Sequence, residues 1–472
     1  MDLANRTDST RRLDSARLDG HLQGIKAVAT KRWSDPLSRG GMALLANTGL
    51  TGALGFGFWI IAAHIFSTSA VGVAGALVAA TTLFAGLGQL NLSGMLMRFL
   101  PTAGGRSRRL VLAAYIIAAS GSVFLAAISL TAIRIFASPD SPLRLGMLEA
   151  TSLVLAAAAM AIFTIEDNVL VSLRQAVWVP VENGAFGVLK IGILFIVMQI
   201  GTGFSLFSAW MISLTLIIPI ISAVIFFKFL PPAPRPRRVT KFGPVMRANI
   251  IRFAAGDAVG GFFTQSWTYL LPIIITASLG ASANALFYTS FLFSSTLDQV
   301  AANYASPLTV EGAHNPEKMA ALIRQALRQI FMIILPAVAV LVLICPWLLH
   351  AFGDKYTRAA PLLELLLIAC LPKAISTVYY AYCRVRRNTH KSAIIQGYVC
   401  TATLIAVALS DHILGLTGVG ITVVTVQSSA AAASGLALRR ELYHAHHKRG
   451  RHRRRHDGDE LTDSIYLPVI ER

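Results

Sequence analysis

The chain has 472 residues, of which 55% are hydrophobic and only 14% charged, and its mean hydropathy is +0.61. Soluble domains carry about 25% charged residues, so this composition excludes an ordinary soluble protein. The formal charge of +19 is typical of a membrane protein with basic cytoplasmic loops, and we expect no nucleic-acid binding.

The first 40 residues form a basic tail, and we expect no secretory signal peptide because the first apolar run begins near Gly41. Within the tail, apolar residues recur at helical spacing beside basic ones: Leu18, Leu22, Ile25, Ala29 and Trp33. This pattern predicts an amphipathic helix on an anionic membrane surface, with a disordered tail as the alternative.

Apolar runs of membrane-spanning length then follow one another to residue 438. They predict twelve helices, at approximately 41–65, 71–97, 110–136, 146–172, 179–200, 204–229, 251–278, 281–305, 329–350, 360–383, 392–414 and 416–438. The expected fold is therefore an all-α polytopic membrane protein.

The middle of the chain divides these helices into two lobes of six. The segment PPAPRPRR at 231–238 cannot continue a helix, and the seven Lys and Arg between 228 and 252 are too costly for hydrocarbon. We therefore predict five regions: a tail at 1–40, an N-lobe at 41–230, a basic linker at 231–250, a C-lobe at 251–438 and a basic tail at 439–472.

Lys and Arg outside the predicted spans lie almost all on one side of the membrane. The tails, the linker and the loops on their side hold 36, whereas the alternate loops hold four, namely Arg134, Arg144, Lys355 and Arg358. Because cytoplasmic loops are the basic ones, we predict a multi-pass protein of the bacterial cytoplasmic membrane with both termini in the cytoplasm. The basic tails are expected to bind anionic lipids.

The two predicted lobes begin alike. Each has a long glycine-containing helix, a short uncharged turn and a long return helix, and the turns read FSTSAVG at 66–72 and LGASANA at 279–285. Since both lobes enter the membrane from the same side, we predict a parallel repeat about an axis along the membrane normal.

Catalytic and metal-binding motifs do not accompany these helices. The sequence has no P-loop, GxSxG or CxxC motif, and its four cysteines lie in apolar runs, as expected of buried apolar side chains. The five histidines of 444–456 lie among arginines that repel divalent cations. We expect no enzyme activity, no cofactor and no metal.

Ionisable residues inside apolar helices mark cavities or partner charges because they are costly in lipid. The predicted spans contain Glu149, Glu166, Asp167, Lys190, Asp257, Asp298, Glu364 and Lys373. Glu149 and Glu364 lie near helix ends, where water reaches them. Lys190 and Lys373 lie closest to mid-membrane, and we predict that both bind an anionic ligand.

Polar residues share one face of the predicted helix 251–278. Asp257, Thr264 and Thr268 recur at helical spacing there, so we assign Thr264 and Thr268 to the binding wall.

A gate is predicted near the cytoplasmic face. Arg98, Asp257 and Asp298 fall at similar depth, so Arg98 of one lobe is predicted to pair with an acid of the other lobe and to separate when that acid is protonated. Glu166 and Asp167 are assigned to the same coupling or gating role. The alternative is that Arg98 reaches lipid phosphate and Asp257 packs within its own lobe.

Four stretches of this sequence resemble the oligosaccharide flippases of the multidrug/oligosaccharidyl-lipid/polysaccharide exporter (MOP) superfamily, among them the O-antigen and teichoic-acid export proteins. They are RGGMALLANTGLTGALGFGFWIIAAHIFSTSAVG (39–72), LSGMLMRFLP (92–101), DNVLVSLRQAVWVPVEN (167–183) and LLPIIITASLGASANALFYTS (270–290). The resemblance covers about 41–437, and the long N-terminal extension and the histidine-rich C-terminal tail depart from it.

This resemblance implies a transporter that moves polyprenyl-pyrophosphate-linked oligosaccharide to the outer leaflet by alternating access, for cell-surface polysaccharide synthesis. Coupling to protons or monovalent cations is compatible with it, and other envelope polysaccharide assembly proteins are expected partners. The polyanionic head of such a lipid needs a cationic, hydrated cavity, so Arg98, Lys190 and Lys373 are expected to contact it. Lys190→Ala is then predicted to impair export far more than Lys190→Arg.

Two alternatives to this function remain. The spans contain acids as well as bases, so a cation-coupled multidrug exporter of the same fold fits the sequence too. A non-transporting membrane scaffold for envelope assembly is the third interpretation, and the charged residues Lys190 and Asp257 within the spans argue against it.

Overall fold

The computed structural model describes residues 36–89, 92–137, 141, 143–200, 202–230, 244–314, 318–386 and 388–463. The amphipathic helix predicted at 18–33 lies outside these residues. The side chains of Arg98 and Asp257 also lie outside the described part of the structure.

The described residues form helices and no strands. The first half contains α1 (Pro36–Ile65), α2 (Thr68–Gly88), α3 (Leu92–Phe99), α4 (Ser107–Phe136), α5 (Met147–Ser172), α6 (Trp178–Val197) and α7 (Gly203–Val224), which continues as the π-helical turn Ile225–Phe229. The second half contains α8 (Pro244–Ser278), α9 (Ala281–His314), α10 (Met319–Leu343), α11 (Cys345–His350), α12 (Ala360–Val385) and α13 (Thr389–Asp463).

Eleven stretches of the described residues are long and apolar enough to cross a membrane. α13 contains two of them, Thr389–Leu409 and Leu414–Arg440, because Gly415 adopts a φ of 57° that interrupts the helix. α9 has 34 residues and is long enough as well, but Asp298 and Gln299 make it more polar. The predicted all-α membrane fold of about twelve helices in two lobes is confirmed.

Two predicted spans are interrupted where the sequence suggested continuous helices. The span predicted at 71–97 is divided into α2 and α3, and α2 ends where the backbones of Gly88 and Gly121 touch. The span predicted at 329–350 is divided into α10 and α11, and Pro346 occupies the first turn of α11, where its missing N–H costs nothing.

Helices α1–α7 pack into one lobe and α8–α13 into a second. α2 belongs to the first lobe, where it contacts α4, α5 and α7, but it also packs on α8 and α9. Of its membrane-spanning window 72% is buried, against 17% for α1. α2 is therefore the main connection between the lobes.

The lobes make close contacts at one end of the bundle, and Gly86 of α2 also lies against Gln265 of α8 farther from that end. We call the end that carries residues 230 and 244 the linker end, and the end that carries the turns at 65–68 and 278–281 the opposite end. At the opposite end Asn284 Nδ2 donates a 2.8 Å hydrogen bond to the Gly72 carbonyl.

A methyl group on Gly72 would lie 1.7 Å from the Ala281 oxygen, so only glycine permits this approach. Beside it, the rings of Trp59 and Tyr288 meet edge to face at 4.8 Å, and Gly75 contacts the same tyrosine. We call these five residues, Trp59, Gly72, Gly75, Asn284 and Tyr288, the inter-lobe seal.

Candidate functional site

A cavity of about 910 Å³ lies between the two lobes, on the linker side of the inter-lobe seal. Gly86, Gln89, Ser93 and Thr164 contribute to its wall from the first lobe, and the remainder comes mainly from α8, α9, α12 and α13. The contacts of the seal lie between this cavity and the opposite end.

Lys373 and Asp298 form an ion pair in the wall of this cavity. Lys373 Nζ on α12 lies 2.5 Å from Asp298 Oδ2 on α9, and the two side chains are 24% and 22% exposed. The same ammonium group lies 4.7 Å from the centre of the Trp267 ring, within the range of a cation–π contact. Both side chains are partly exposed, so the ammonium group of Lys373 remains within reach of a ligand in the cavity.

Apart from this pair and Arg384, the wall combines apolar side chains with uncharged polar ones. Five glutamines and five threonines line it: Gln89, Gln265, Gln299, Gln396, Gln427, Thr164, Thr264, Thr268, Thr309 and Thr377. Thr264 Oγ1 donates to Gln396 Oε1 at 3.0 Å, which fixes that amide. Amides and hydroxyls both donate and accept hydrogen bonds, so this wall suits a ligand with many hydroxyl groups.

Of the residues assigned from sequence, the structure brings Thr264, Thr268, Asp298 and Lys373 together around this cavity. Asp298 pairs with Lys373 within its own lobe, because α9 and α12 are packed neighbours. The side chain of Arg98 lies outside the described residues, so the predicted gate between Arg98 and an acid of the other lobe stays a prediction.

Lys190 lies elsewhere, in the interior of the first lobe. Its Nζ is 5.1 Å from the Phe58 ring centre and 5.2 Å from that of Phe186, and the residue is 9% exposed. It does not line the inter-lobe cavity, and the contact between Lys190 and an anionic head group stays a prediction. The position of a residue along a helix can be read from sequence, whereas the direction of its side chain about the helix axis depends on packing.

Glu166 and Asp167 belong to a cluster of carboxyl groups within the first lobe. Glu166 Oε1 accepts hydrogen bonds from Ser222 at 2.5 Å and Tyr115 at 3.3 Å, and Asp167 Oδ1 accepts one from Asn183 at 2.9 Å.

The third acid of this cluster is Glu182. It belongs to α6 and lies beside Glu166 of α5. Glu182 is fully buried, and neither of its oxygens has a hydrogen-bond partner in the described structure. An ionised carboxylate without a partner is very costly in such a site, so the cluster can hold protons. The sequence inventory omitted Glu182, although it lies inside the predicted span 179–200 and a count of every acid in the spans would have found it.

The described residues contain no group of three His, Cys, Asp or Glu side chains able to hold a metal ion. The four cysteines are unpaired and buried.

Comparison with known proteins gives structural likeness only, since no protein-family model and no curated protein matches the sequence. An outward-facing multidrug resistance MATE family transporter of the MOP superfamily shares 17% identity over 88% of this chain and 97% of its own, with a TM-score of 0.64. An inward-facing transporter of the same description shares 18% identity over 86% and 98%, with a TM-score of 0.61.

A MOP superfamily transporter from Pyrococcus furiosus is also similar, with 16% identity over 88% of this chain and 97% of its own, and a TM-score of 0.57. Identities this low establish a common fold and nothing about cargo. The chain therefore has the MATE-type transporter fold.

Proposed function

We propose that this protein is a transporter that works by alternating access, and that its cargo is a polyprenyl-pyrophosphate-linked oligosaccharide. The observation that carries the proposal is a cavity with polar and charged side chains between two lobes, which meet at the inter-lobe seal on its opposite-end side. Rocking of the lobes about α2 would open the seal and close the linker end, which exposes the cavity to each side in turn.

The residues that line the cavity favour an oligosaccharide head group as the cargo, in preference to a cationic drug. Lys373 lines the cavity and offers an ammonium group that an anionic head group can contact. The glutamine- and threonine-rich wall offers hydrogen bonds to sugar hydroxyls, while Trp267 offers an apolar face. The polyprenol would remain in the bilayer beside the lobes.

A cation-coupled multidrug exporter is the second candidate function. The two MATE family neighbours are described as multidrug resistance transporters, and Asp298 with aromatic residues nearby is chemistry that attracts an organic cation. The Pyrococcus furiosus transporter is described as having a binding pocket of reverse polarity that suggests a different function. The cargo of a transporter with this fold therefore depends on the residues that line its cavity, and the fold alone does not determine it.

Proton coupling is assigned to the carboxyl cluster of Glu166, Asp167 and Glu182 in the first lobe. Its buried, partly unpartnered oxygens are where a proton would be held and released as the lobes rock. The gate between Arg98 and Asp257 stays a separate prediction, tested by charge exchange: each single reversal should lose transport, and the double reversal should regain part of it.

The cargo is tested with purified protein in liposomes that contain a fluorescent polyprenyl-pyrophosphate-linked oligosaccharide in one leaflet. Its appearance in the other leaflet is measured with a membrane-impermeant reagent, and accumulation of a cationic dye is measured in parallel. We expect flipping of the lipid-linked sugar and no dye accumulation. Dye accumulation without flipping would establish the multidrug function instead, and neither activity would favour the scaffold.

A further inference from the structure

A second cavity, of about 760 Å³, lies at the opposite end of the first lobe. It is formed by the last turns of α4, residues 143–146 and the first turns of α5, and it shares no lining residue with the inter-lobe cavity. Most of its wall is apolar: Leu130, Ile133, Leu145, Met147, Val154 and Leu155. Two arginines, Arg134 and Arg144, complete it.

Arg144 is held in a fixed position. Its Nη2 donates hydrogen bonds to the Arg134 carbonyl at 2.8 Å and to the Ala137 carbonyl at 2.9 Å. These carbonyls lie at the end of α4, where the helix itself supplies no donors. Both bonds use one nitrogen, so the other N–H groups of the guanidinium remain available.

The side chain of Arg134 is exposed beside the same cavity, and its guanidinium group makes no hydrogen bond or ion pair with the described residues. Of the 42 Lys and Arg, only four are predicted to lie at the opposite-end side of the spans, and two of those four line this cavity. This pairing concentrates positive charge on the side of the membrane that otherwise lacks it.

Large apolar side chains near the two arginines are exposed. Phe136 and Met147 are 86% and 72% exposed, and exposed apolar surface on a membrane-spanning helix suits contact with lipid tails. The arginines therefore lie where the apolar surface of the lobe ends, which is the level of the lipid head groups.

The geometry points to a binding site for an anionic glycerophospholipid of this leaflet. The lipid phosphate lies between Arg134 and Arg144, whose planar guanidinium groups match phosphate oxygens, and one acyl chain occupies the apolar cavity between α4 and α5. Basic pockets between membrane helices are known to select anionic head groups. The bound lipid links the end of α4 to the start of α5.

The test is native mass spectrometry of the intact protein from nanodiscs that contain equal amounts of phosphatidylglycerol and phosphatidylcholine. The parent is expected to retain one phosphatidylglycerol preferentially. Arg134→Gln should weaken that retention by about tenfold, the usual effect of losing one charge-assisted hydrogen bond. Arg144→Lys should weaken it less. Arg358→Gln, which removes an exposed base at the same end but outside the cavity, is the matched control and should match the parent.

A photoreactive residue in place of Leu155 gives a second measurement that leaves both arginines intact, and it should label phosphatidylglycerol over phosphatidylcholine. The proposal is overturned if Arg134→Gln retains the lipid like the parent, if Arg358→Gln loses it equally, or if Leu155 labels both lipids alike. Displacement by inorganic phosphate alone would show a free-anion site, and labelling by only the lipid-linked oligosaccharide would show a cargo site; either result contradicts the phospholipid assignment.

Discussion

The ion pair between Lys373 and Asp298 is the feature of the cavity that mutation tests most directly. Removing one partner leaves a half-buried charge alone, which should cost roughly 1–3 kcal/mol, between the values for exposed and buried pairs. We expect Lys373→Met to lower thermal stability and abolish flipping. The double variant Lys373→Met/Asp298→Leu should regain stability but not flipping, because the lysine is then missing as a ligand.

Lys355→Met is the control for this pair, since it removes an exposed base at the opposite end and should change neither property. Thermal unfolding and the liposome assay measure the two effects separately. Recovery of flipping in the double variant would show that Lys373 serves stability alone.

Glu182 gives a second prediction at the residue scale. Glu182→Gln keeps the shape of the side chain but cannot exchange a proton, and the groups that face it are Glu166 and Asp167 of α5, with Tyr115 of α4 contributing to the same cluster. An imposed proton gradient should stimulate transport by the parent and not by this variant.

The matched control is Glu149→Gln. Glu149 Oε2 accepts a hydrogen bond from the Gly146 N–H at the start of α5, and glutamine can preserve that cap. Its response to the gradient should equal the parent's. An unchanged response in Glu182→Gln would remove the cluster from coupling.

Individual site residues were predictable from sequence only in part. Thr264, Thr268, Asp298 and Lys373 line the cavity because a polar residue in an apolar helix has few other places to go. Lys190 avoids lipid in another way, because its ammonium group is buried between two phenylalanine rings inside the first lobe. The partner of a buried charge depends on which helices are neighbours, and hydropathy carries no such information.

At the scale of elements, the contact of α2 with α9 decides whether the opposite end stays closed. Gly72→Ala places a methyl group 1.7 Å from the Ala281 oxygen, so the helices must separate at the seal. We expect a loss of about 1–3 kcal/mol, as for other overpacked contacts, together with slower transport.

Gly52→Ala is the control for the seal, because a methyl group there meets nothing within 4 Å. It makes the same substitution inside a helix and should leave transport intact, with equal or slightly higher stability. Equal effects of the two substitutions would show that the close approach at Gly72 does not control the seal.

Most helices were predictable because each needs about 20 apolar residues to cross a bilayer. The interruptions within the predicted spans were harder to predict. Gly415 ends one helix and starts the next through its positive φ, in line with the predicted boundary between 414 and 416, whereas the division between α2 and α3 depends on the contact of Gly88 with Gly121. Such contacts join residues far apart in sequence.

For the whole molecule, the orientation in the membrane is a prediction from the charge asymmetry of 36 to four. A reporter active only in the cytoplasm should give signal when attached at Arg472 and none when inserted near Thr202, between α6 and α7. Signal at Thr202 would reverse the orientation, and the cavity would then face the outside in this structure.

The central claim is that the two lobes expose one cavity to each side in turn and do so for a lipid-linked oligosaccharide. Spin-label pairs can follow both ends of the bundle: Ser69 with Ser282 across the seal, and Arg109 with Arg324 across the linker end, all exposed. The four native cysteines are buried and should label poorly, so cysteines introduced at these positions can be labelled selectively.

The decisive measurement is the pair of distance distributions in nanodiscs with and without polyprenyl-pyrophosphate-linked oligosaccharide. We predict that this cargo lengthens the Ser69–Ser282 distance and shortens the Arg109–Arg324 distance in the same fraction of molecules, and that a cationic drug changes neither. Distances that remain unchanged with the lipid-linked sugar, or that respond only to the cationic drug, would contradict the proposed transport cycle.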